Sequence, residues 1–313
     1  MIAETNSTVQ ETRTITYQEI MCSPTYVGKV GQIATFFSTA NIILSITAFL
    51  GNFLILVALN KESSLHSSSK LLYRCLATSD LLVGLVSQPL YAAYWLSLVH
   101  EKWNLCRFVT DAIVITRFTL CGVSMLTMAA ISVDRLLALS LGLRYRQIVT
   151  PKRMYIITAI FWIASILASS FYNSQIPLLY NKIVILSFSV ISFTSYAKIL
   201  RTLSRNQARV QDHVQQQPSQ ATALNMARYR KAVSSALWVQ LALVVCYAPS
   251  LTLSTLVIIW RSYSLHLLIT SGITTLLVYL KSTLNPFIYC WKISEVRQAV
   301  KQTIRQVFRC PWS

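Results

Sequence analysis

Residues 33–59 read IATFFSTANIILSITAFLGNFLILVAL, a stretch that contains no charged side chain. About 20 mostly apolar residues are enough for an α-helix to cross the hydrocarbon core of a membrane. Similar apolar stretches recur as far as Cys290, with polar segments between them. The sequence therefore predicts an all-α membrane protein rather than a water-soluble domain.

Seven such stretches predict a seven-transmembrane helix bundle. Their predicted bounds are 33–59, 71–98, 106–141, 155–171, 176–203, 231–259 and 265–290. The second is expected to bend near Pro89, because proline removes a backbone hydrogen bond. We divide the chain into an N-terminal tail (1–32), a membrane domain (33–290) and a C-terminal segment (291–313).

Charge supports this interpretation and predicts the orientation. The chain is 54% apolar and 12% charged, with a net charge of +18, whereas soluble domains are typically about 25% charged. Most Lys and Arg residues occupy one set of loops, which the positive-inside rule places in the cytoplasm. The N-terminus, with its Asn6-Ser7-Thr8 glycosylation sequon, is then extracellular, and the location is the plasma membrane. The basic charge is assigned to the membrane surface and not to nucleic acid.

The C-terminal segment has a second helical pattern. Apolar residues recur at three- and four-residue steps from Ile293 to Phe308, with basic residues between them. This pattern predicts an amphipathic helix on the membrane surface. Cys310 follows it and is either a palmitoylation site or a free cysteine.

Several charged residues fall within the predicted spans, where charges are costly and are usually paired or functional. They are Asp80, Asp111, Arg117, Asp134, Arg135 and Lys281. A channel or transporter that uses these charges as an ion path is the alternative function. The four histidines do not cluster as metal ligands would, and we expect no metal, no cofactor and no enzymatic activity.

Short motifs are distributed over nearly the whole chain in a characteristic order. They are Gly51-Asn52, Leu76-Ala77 with Asp80, Asp134-Arg135-Leu136, Trp162, Tyr196, Cys246-Tyr247-Ala248-Pro249 and Asn285-Pro286-Phe287-Ile288-Tyr289. In order and spacing they resemble the rhodopsin-like (class A) family of G-protein-coupled receptors. The resemblance implies an extracellular ligand and a heterotrimeric G protein as partners, and it counts against the channel alternative.

The resemblance assigns G-protein coupling to the inner end of the bundle. Asp134 is expected to hold Arg135 as an ion pair at rest, the alternative being a solvated charge pair. On activation, Arg135 would turn inward and be supported by Tyr196 and Tyr289, and Leu143 would insert into the G protein.

The resemblance also assigns an activation switch to the sixth and seventh spans. Tyr247 stands where the family has tryptophan. Pro249 and Pro286, the latter preceded by Asn285, break backbone hydrogen bonds and are interpreted as hinges or as static kinks.

A central polar site is the third implied feature. Many family members bind sodium with residues that match Asp80, Ser124, Ser282 and Asn285; Asn52 lies in the same region. Lys281 is one helical turn before Asn285, and we expect its ammonium to pair with Asp80 in place of sodium. The alternative is that it extends elsewhere. Opsins carry their retinal lysine at the position of Tyr279, on another helix face.

Arg117 and Asp111 are the candidate ligand-binding residues. Amine receptors carry an aspartate at the position of Arg117, so an amine ligand is disfavoured and an acidic group is favoured. Arg117 could instead pair internally with Glu101 or Asp111. The short cysteine-free loop after the fourth span and the missing proline in the fifth resemble the melanocortin, cannabinoid and lysophospholipid receptor branch, which favours a peptide or lipid ligand.

The extracellular cysteines form a candidate disulfide. The family usually bridges the loop after the fourth span to the third helix, and that loop lacks a cysteine here. Only Cys22 and Cys106 are predicted to face the oxidising exterior, although sequence alone does not establish the pairing.

Overall fold

The computed structural model describes residues 21–26, 28–61, 66–171, 264–292 and 294–308, and shorter stretches between 179 and 201 and between 244 and 256. In this part of the chain every regular element is helical. The prediction of an all-α protein is therefore confirmed for the described residues.

Long helices occupy the predicted spans that the structure describes. Helices α1 (Gly31–Lys61), α2 (Ser67–Val99), α3 (Trp103–Leu141) and α4 (Pro151–Ser170) correspond to the first four. Helix α5 (Val244–Leu253) lies in the sixth span, α6 (Leu265–Lys292) forms the seventh, and α7 (Ser294–Phe308) follows it. Most of the predicted fifth and sixth spans lies outside the described residues.

Five of these helices, α1 to α4 and α6, are long and apolar enough to cross a membrane. Two of them leave large apolar side chains exposed along one face, namely Phe36, Ile43, Ile46 and Leu50 on α1 and Ile156, Ile160, Ile163 and Leu167 on α4. Water would disfavour such continuous apolar faces. They are the surfaces expected to contact lipid.

Helix α2 departs from regular α-helical geometry where its proline predicts a break. A π-helical turn at Val83–Ser87 directly precedes Gln88 and Pro89, and such turns are common sites of helix distortion. The hydroxyl of Ser45 donates to the carbonyl of Gly84 over 2.6 Å. A Cβ on Gly84 would lie 2.9 Å from the backbone nitrogen of Phe49, so only glycine permits this close packing of α1 and α2.

Local sequence explains how α3 ends and α4 begins. Helix α3 ends at Leu141, and the following residue, Gly142, has a φ of +51°, a conformation that glycine adopts readily because it has no Cβ,. Helix α4 begins with the Thr150-Pro151 pair. The Thr150 side chain accepts a hydrogen bond from the backbone nitrogen of Arg153, and proline suits the first helical turn because it lacks an N–H,.

The interior contains two apolar clusters. One surrounds Met125 and Tyr289, and the other joins Trp95 and Cys106 at the opposite end of the bundle. In the second cluster Phe37 stacks on Trp95 with ring centroids 4.6 Å apart. Gly272 of α6 leaves room for this pair, because a Cβ there would lie 2.7 Å from the Phe37 ring.

Candidate functional site

The centre of the bundle contains a fully buried carboxylate with four hydrogen-bond donors. Asp80 Oδ1 accepts from Lys281 Nζ at 3.1 Å, Ser124 Oγ at 3.2 Å and Ser282 Oγ at 2.8 Å, and Asn285 donates to Oδ2 at 2.5 Å. Asp80 and Lys281 are 0% and 2% exposed and form a salt bridge. Lys281 Nζ also donates to Ser124 Oγ. Of the two sequence interpretations, the structure contains the Lys281–Asp80 pair.

The spacing on α6 explains this convergence. Lys281 and Asn285 are one turn apart and therefore share a helix face, and Ser282 is adjacent. Tyr279 packs against Tyr91 instead, with ring centroids 5.8 Å apart. Lys281 therefore points toward Asp80. Tyr279, which stands at the position of the opsin lysine, lies on a different face of the helix.

Pro286 leaves a backbone carbonyl without its usual donor, and Asn52 supplies a replacement. A proline has no N–H, so the carbonyl four residues earlier, that of Ser282, loses its helical hydrogen bond. Asn52 Nδ2 donates to this carbonyl at 3.0 Å. Gly51 permits the approach, since a Cβ there would lie 3.0 Å from Pro286 Cγ. This contact joins α1 to α6 one turn before Pro286.

The Asp134-Arg135 pair engages two different sets of partners. The Asp134 carboxylate is buried and accepts hydrogen bonds from Ser69 at 2.8 Å and Tyr145 at 2.5 Å. Burial, and then the hydrogen bond to Asp134, raise the pKa of the Tyr145 phenol above its ordinary value,. Sequence analysis did not identify Ser69 or Tyr145, because hydroxyl residues in these positions carry no distinctive pattern.

Arg135 is directed toward the tyrosines of neighbouring helices. Its guanidinium donates to the Tyr73 hydroxyl at 3.0 Å and lies 5.7 Å from the centre of that ring. Tyr73 in turn packs edge-on against Tyr289, with ring centroids 5.5 Å apart. Arg135 and Tyr289 are therefore connected through Tyr73, a residue that sequence analysis missed.

Arg117 joins three helices at the wall of a small cavity. One guanidinium nitrogen donates to Thr275 of α6 at 3.1 Å and another donates to Ser250 of α5 at 3.0 Å. The cavity is lined by Arg117, Phe118, Cys121, Tyr247, Ser250 and Val278. Tyr247 and Pro249, the predicted switch residues, lie on the same helix as Ser250. Asp111, the other ligand candidate, is partly buried on α3.

The N-terminal segment is fastened over the end of the bundle by a covalent bond. Cys22 and Cys106 form a disulfide with their Cα atoms 6.0 Å apart, and both cysteines are buried. The Tyr94 hydroxyl donates to the Met21 carbonyl at 3.0 Å. Together these contacts attach the segment before α1 to α2 and α3.

Three of the predicted residues, Asn6, Tyr196 and Cys310, lie outside the described residues. Leu143 falls in the short 3-10 turn Gly142–Arg144. Their predicted roles in glycosylation, coupling, palmitoylation and G-protein contact remain predictions.

Comparison with known proteins gives consistent results. A family model described as "7 transmembrane receptor (rhodopsin family)" matches residues 51–176. A high-affinity lysophosphatidic acid receptor from Xenopus laevis is 26% identical over 86% of this chain and 82% of its own length. An adenosine receptor A3 from Canis lupus familiaris is 30% identical over 41% of this chain and 40% of its own length.

The fold is similar to that of a solved membrane protein. The crystal structure of squid rhodopsin superimposes with a TM-score of 0.74 at 16% identity, covering 89% of this chain and 87% of the rhodopsin chain. That similarity concerns the fold alone. The motifs, the family-model match and the sequence relatives show that the chain is similar to the rhodopsin-like family of G-protein-coupled receptors, which are membrane receptors and not enzymes.

Proposed function

We propose that this chain is a seven-span plasma-membrane receptor that binds an extracellular ligand and activates a heterotrimeric G protein. The contact of Arg135 with Tyr73, which packs on Tyr289, is the observation on which the proposal rests. It joins α3, α2 and α6 at the end of the bundle where basic loop residues are concentrated. A ligand that favours one arrangement of these helices over another would shift the population that the G protein recognises.

The proposed topology places the N-terminus outside and the C-terminus in the cytoplasm. It rests on the asymmetry of Lys and Arg between the two sets of loops,. Helix α7 fits a location on the inner membrane surface. Its Val296, Ala299 and Val300 are buried, the helix packs against α1, and Lys301 and Arg305 are exposed, where anionic headgroups could bind them,.

The ligand is proposed to be a peptide or a lipid-like molecule and not an amine. Arg117 in the cavity wall would repel an ammonium and favour an acidic group. The similarity to a receptor named for lysophosphatidic acid supports a lipid-like ligand. At 26% identity, this similarity supports a class of ligand and does not assign lysophosphatidic acid itself to this chain.

Lys281 is proposed to act as an internal cation for Asp80. The ammonium and three further donors satisfy the carboxylate. A separate sodium ion would have to compete with a positive charge that is already 3.1 Å from Asp80,. These two charges neutralise each other, which disfavours the alternative of an open ion path.

The first experiment needs no ligand. The chain and its Arg135→Ala variant would be expressed at matched surface levels, and basal activation of each G-protein class would be recorded. The segment that leads into the sixth span, Arg228-Tyr229-Arg230-Lys231, contains no acidic residue, so we expect a basal signal that the variant loses. Equal signals from the two chains would contradict the expected basal activity, and ion flux without G-protein activation would favour the channel alternative.

A further inference from the structure

The interface between α1 and α2 contains a glutamine whose amide is buried without a protein partner. Gln88 is fully buried, and neither its Oε1 nor its Nε2 atom has a hydrogen-bond partner in the part of the chain that the structure describes. The preceding residue, Ser87, is equally buried, and its Oγ atom is also unpaired within that part of the chain. Buried polar atoms in folded proteins almost always bond to protein or to ordered water. These three atoms therefore indicate a missing partner.

Two hydrogen bonds fix the alignment of α1 and α2 on either side of this glutamine. Ser38 Oγ donates to the Ala92 carbonyl at 3.2 Å, and Ser45 Oγ donates to the Gly84 carbonyl at 2.6 Å. The later residue of α1 bonds to the earlier residue of α2, so the two helices are antiparallel. Gln88 lies midway between the two contacts on α2, about one turn from each.

Asn41 is the residue of α1 at the level of Gln88. It lies between Ser38 and Ser45, and the three- and four-residue steps put all three on the same helix face. Its side chain is fully buried, and Nδ2 donates to the Phe37 carbonyl at 2.7 Å. Its Oδ1 atom has no hydrogen-bond partner among the described residues. Unpaired amide atoms thus lie at one level of both helices, and no printed contact joins them directly.

The π-helical turn of α2 is what brings Gln88 to this level. Its N–H bonds to the Val83 carbonyl, five residues earlier. The next donor in that register would be Pro89, which has no N–H. The Gly84 carbonyl would then lack a partner, and the Ser45 hydroxyl takes the place of the missing donor. Proline and Ser45 together therefore stabilise the turn.

The chemistry of the unpaired atoms identifies the molecule that they can bind. The Gln88 amide offers one donor and one acceptor, Ser87 can act as either, and Asn41 offers an acceptor. All three are neutral, so none would compensate the charge of a buried ion. The two backbones are also close one turn away, since a Cβ on Gly84 would lie 2.9 Å from the backbone nitrogen of Phe49. Water is neutral and small, and a buried water typically makes about three hydrogen bonds.

We propose that ordered water in the α1–α2 interface bridges the Gln88 amide to Asn41 Oδ1, with the Ser87 hydroxyl as a further partner. The water would form a third polar connection between these helices, between the Ser38 and Ser45 hydrogen bonds. This site is separate from the central carboxylate and from the small cavity described above. It does not depend on the proposed receptor function.

The direct test is a structure of the purified, unmodified receptor at a resolution that shows ordered water. We expect a spherical density peak within about 3.2 Å of both the Gln88 amide and Asn41 Oδ1. The absence of such a peak, a protein group that bonds to the Gln88 amide in its place, or elongated density from a larger molecule would overturn the assignment.

Thermal unfolding of the purified receptor tests the same site by its energetics. Gln88→Leu keeps a similar volume and removes the amide. If water satisfies the amide, the variant leaves Asn41 Oδ1 with a poorer set of partners, and the melting temperature should fall by about 2–6 °C, as expected for the loss of one buried hydrogen bond in a chain of this size. If the interface is dry, the variant removes two unpaired atoms and the melting temperature should rise. An increase would therefore contradict the bridge.

A double variant asks whether the two amides share one water. Asn41→Leu should also lower the melting temperature, and the two substitutions together should lower it by less than the sum, because the bridge is lost only once. Ser97→Ala is the matched control, since Ser97 is buried on α2 but donates to the Tyr94 carbonyl of its own helix at 2.7 Å. Its effect should add to that of Asn41→Leu. Strict additivity of Gln88→Leu and Asn41→Leu would argue against a shared water.

Discussion

Replacing Lys281 by methionine tests the internal ion pair most directly. Methionine has a similar length and no charge, so the substitution removes the ammonium from Asp80 while retaining most of the buried volume. Breaking one partner of a buried pair costs about 3–5 kcal/mol, because the remaining charge is left without compensation. Asp80 keeps Ser124, Ser282 and Asn285 as donors, so we expect the lower part of this range.

The assay is thermal unfolding of the detergent-solubilised receptor in sodium chloride and in choline chloride at equal ionic strength. A loss of about 3 kcal/mol corresponds to a decrease in melting temperature on the order of 5–10 °C for a chain of this size. Sodium is small enough to enter the vacated space among the oxygen atoms, and choline is not. The Lys281→Met variant should therefore regain stability in sodium only, whereas the unmodified chain should melt equally in both salts.

A second variant makes the experiment decisive. Asp80→Asn leaves the Lys281 ammonium uncompensated and should also destabilise, without any response to sodium. The double variant has neither charge and should be more stable than the sum of the two single losses predicts. Sodium-dependent melting of the unmodified chain, or strictly additive losses in the double variant, would refute the reasoning.

Three further predictions follow from individual contacts. Tyr145→Phe removes a donor from buried Asp134 and should cost about 1–3 kcal/mol in unfolding free energy; a melting temperature identical to that of the unmodified chain would contradict this. Cys106→Ser opens a disulfide that spans 84 residues and should lower the free energy of unfolding by about 2–5 kcal/mol. The loss would be measured as lower surface expression and a lower melting temperature. A Cys22→Ser variant should lose the same amount, and unequal losses would argue against the pairing. Gly272→Val places a side chain against the Phe37 ring and should cost about 1–3 kcal/mol through overpacking, whereas Gly31→Val, which meets open space, serves as the control that should not.

The parts of the fold that depend on local sequence were predictable. Long apolar stretches specify α1, α2, α3, α4 and α6 because a membrane-spanning helix must satisfy its own backbone hydrogen bonds. The predicted bounds differ from the observed ones by a few residues, as at α4, which begins at Pro151 and not at 155. That difference arises because the Thr150 cap starts the helix before the apolar stretch begins.

The charged members of the site were also predictable, since ionisable side chains are rare within a span and one turn of separation puts Lys281 beside Asn285. Their hydroxyl partners were not. Ser69, Ser250 and Thr275 resemble many other hydroxyl residues in the chain, and only the rotation and tilt of packed helices determine which of them meets a given charge. Sequence periodicity gives the face of a helix but not its neighbour.

The polar sites are arranged in layers along α3. Arg117, Ser124 and Asp134 belong to the cavity, the central carboxylate and the inner end of the bundle, respectively. At 1.5 Å per residue, about 10 Å separates the first two and about 15 Å the last two. A signal from a ligand at Arg117 to a G protein near Asp134 would therefore have to cross about 25 Å.

Helix α6 is the element that contributes to all three layers. Thr275 binds Arg117, Lys281 binds Asp80, and Tyr289 packs on the tyrosine that binds Arg135. A helix that contacts its neighbours at each level could transmit a displacement along its length, and Pro286 lies between its contacts with the central layer and with the inner end. Loosening the central layer should weaken the coupling between the Arg117 layer and the Asp134 layer. Lys281→Met should therefore lower the stability of the fold and also reduce the effect that a change at Arg117 has on the helices around Asp134.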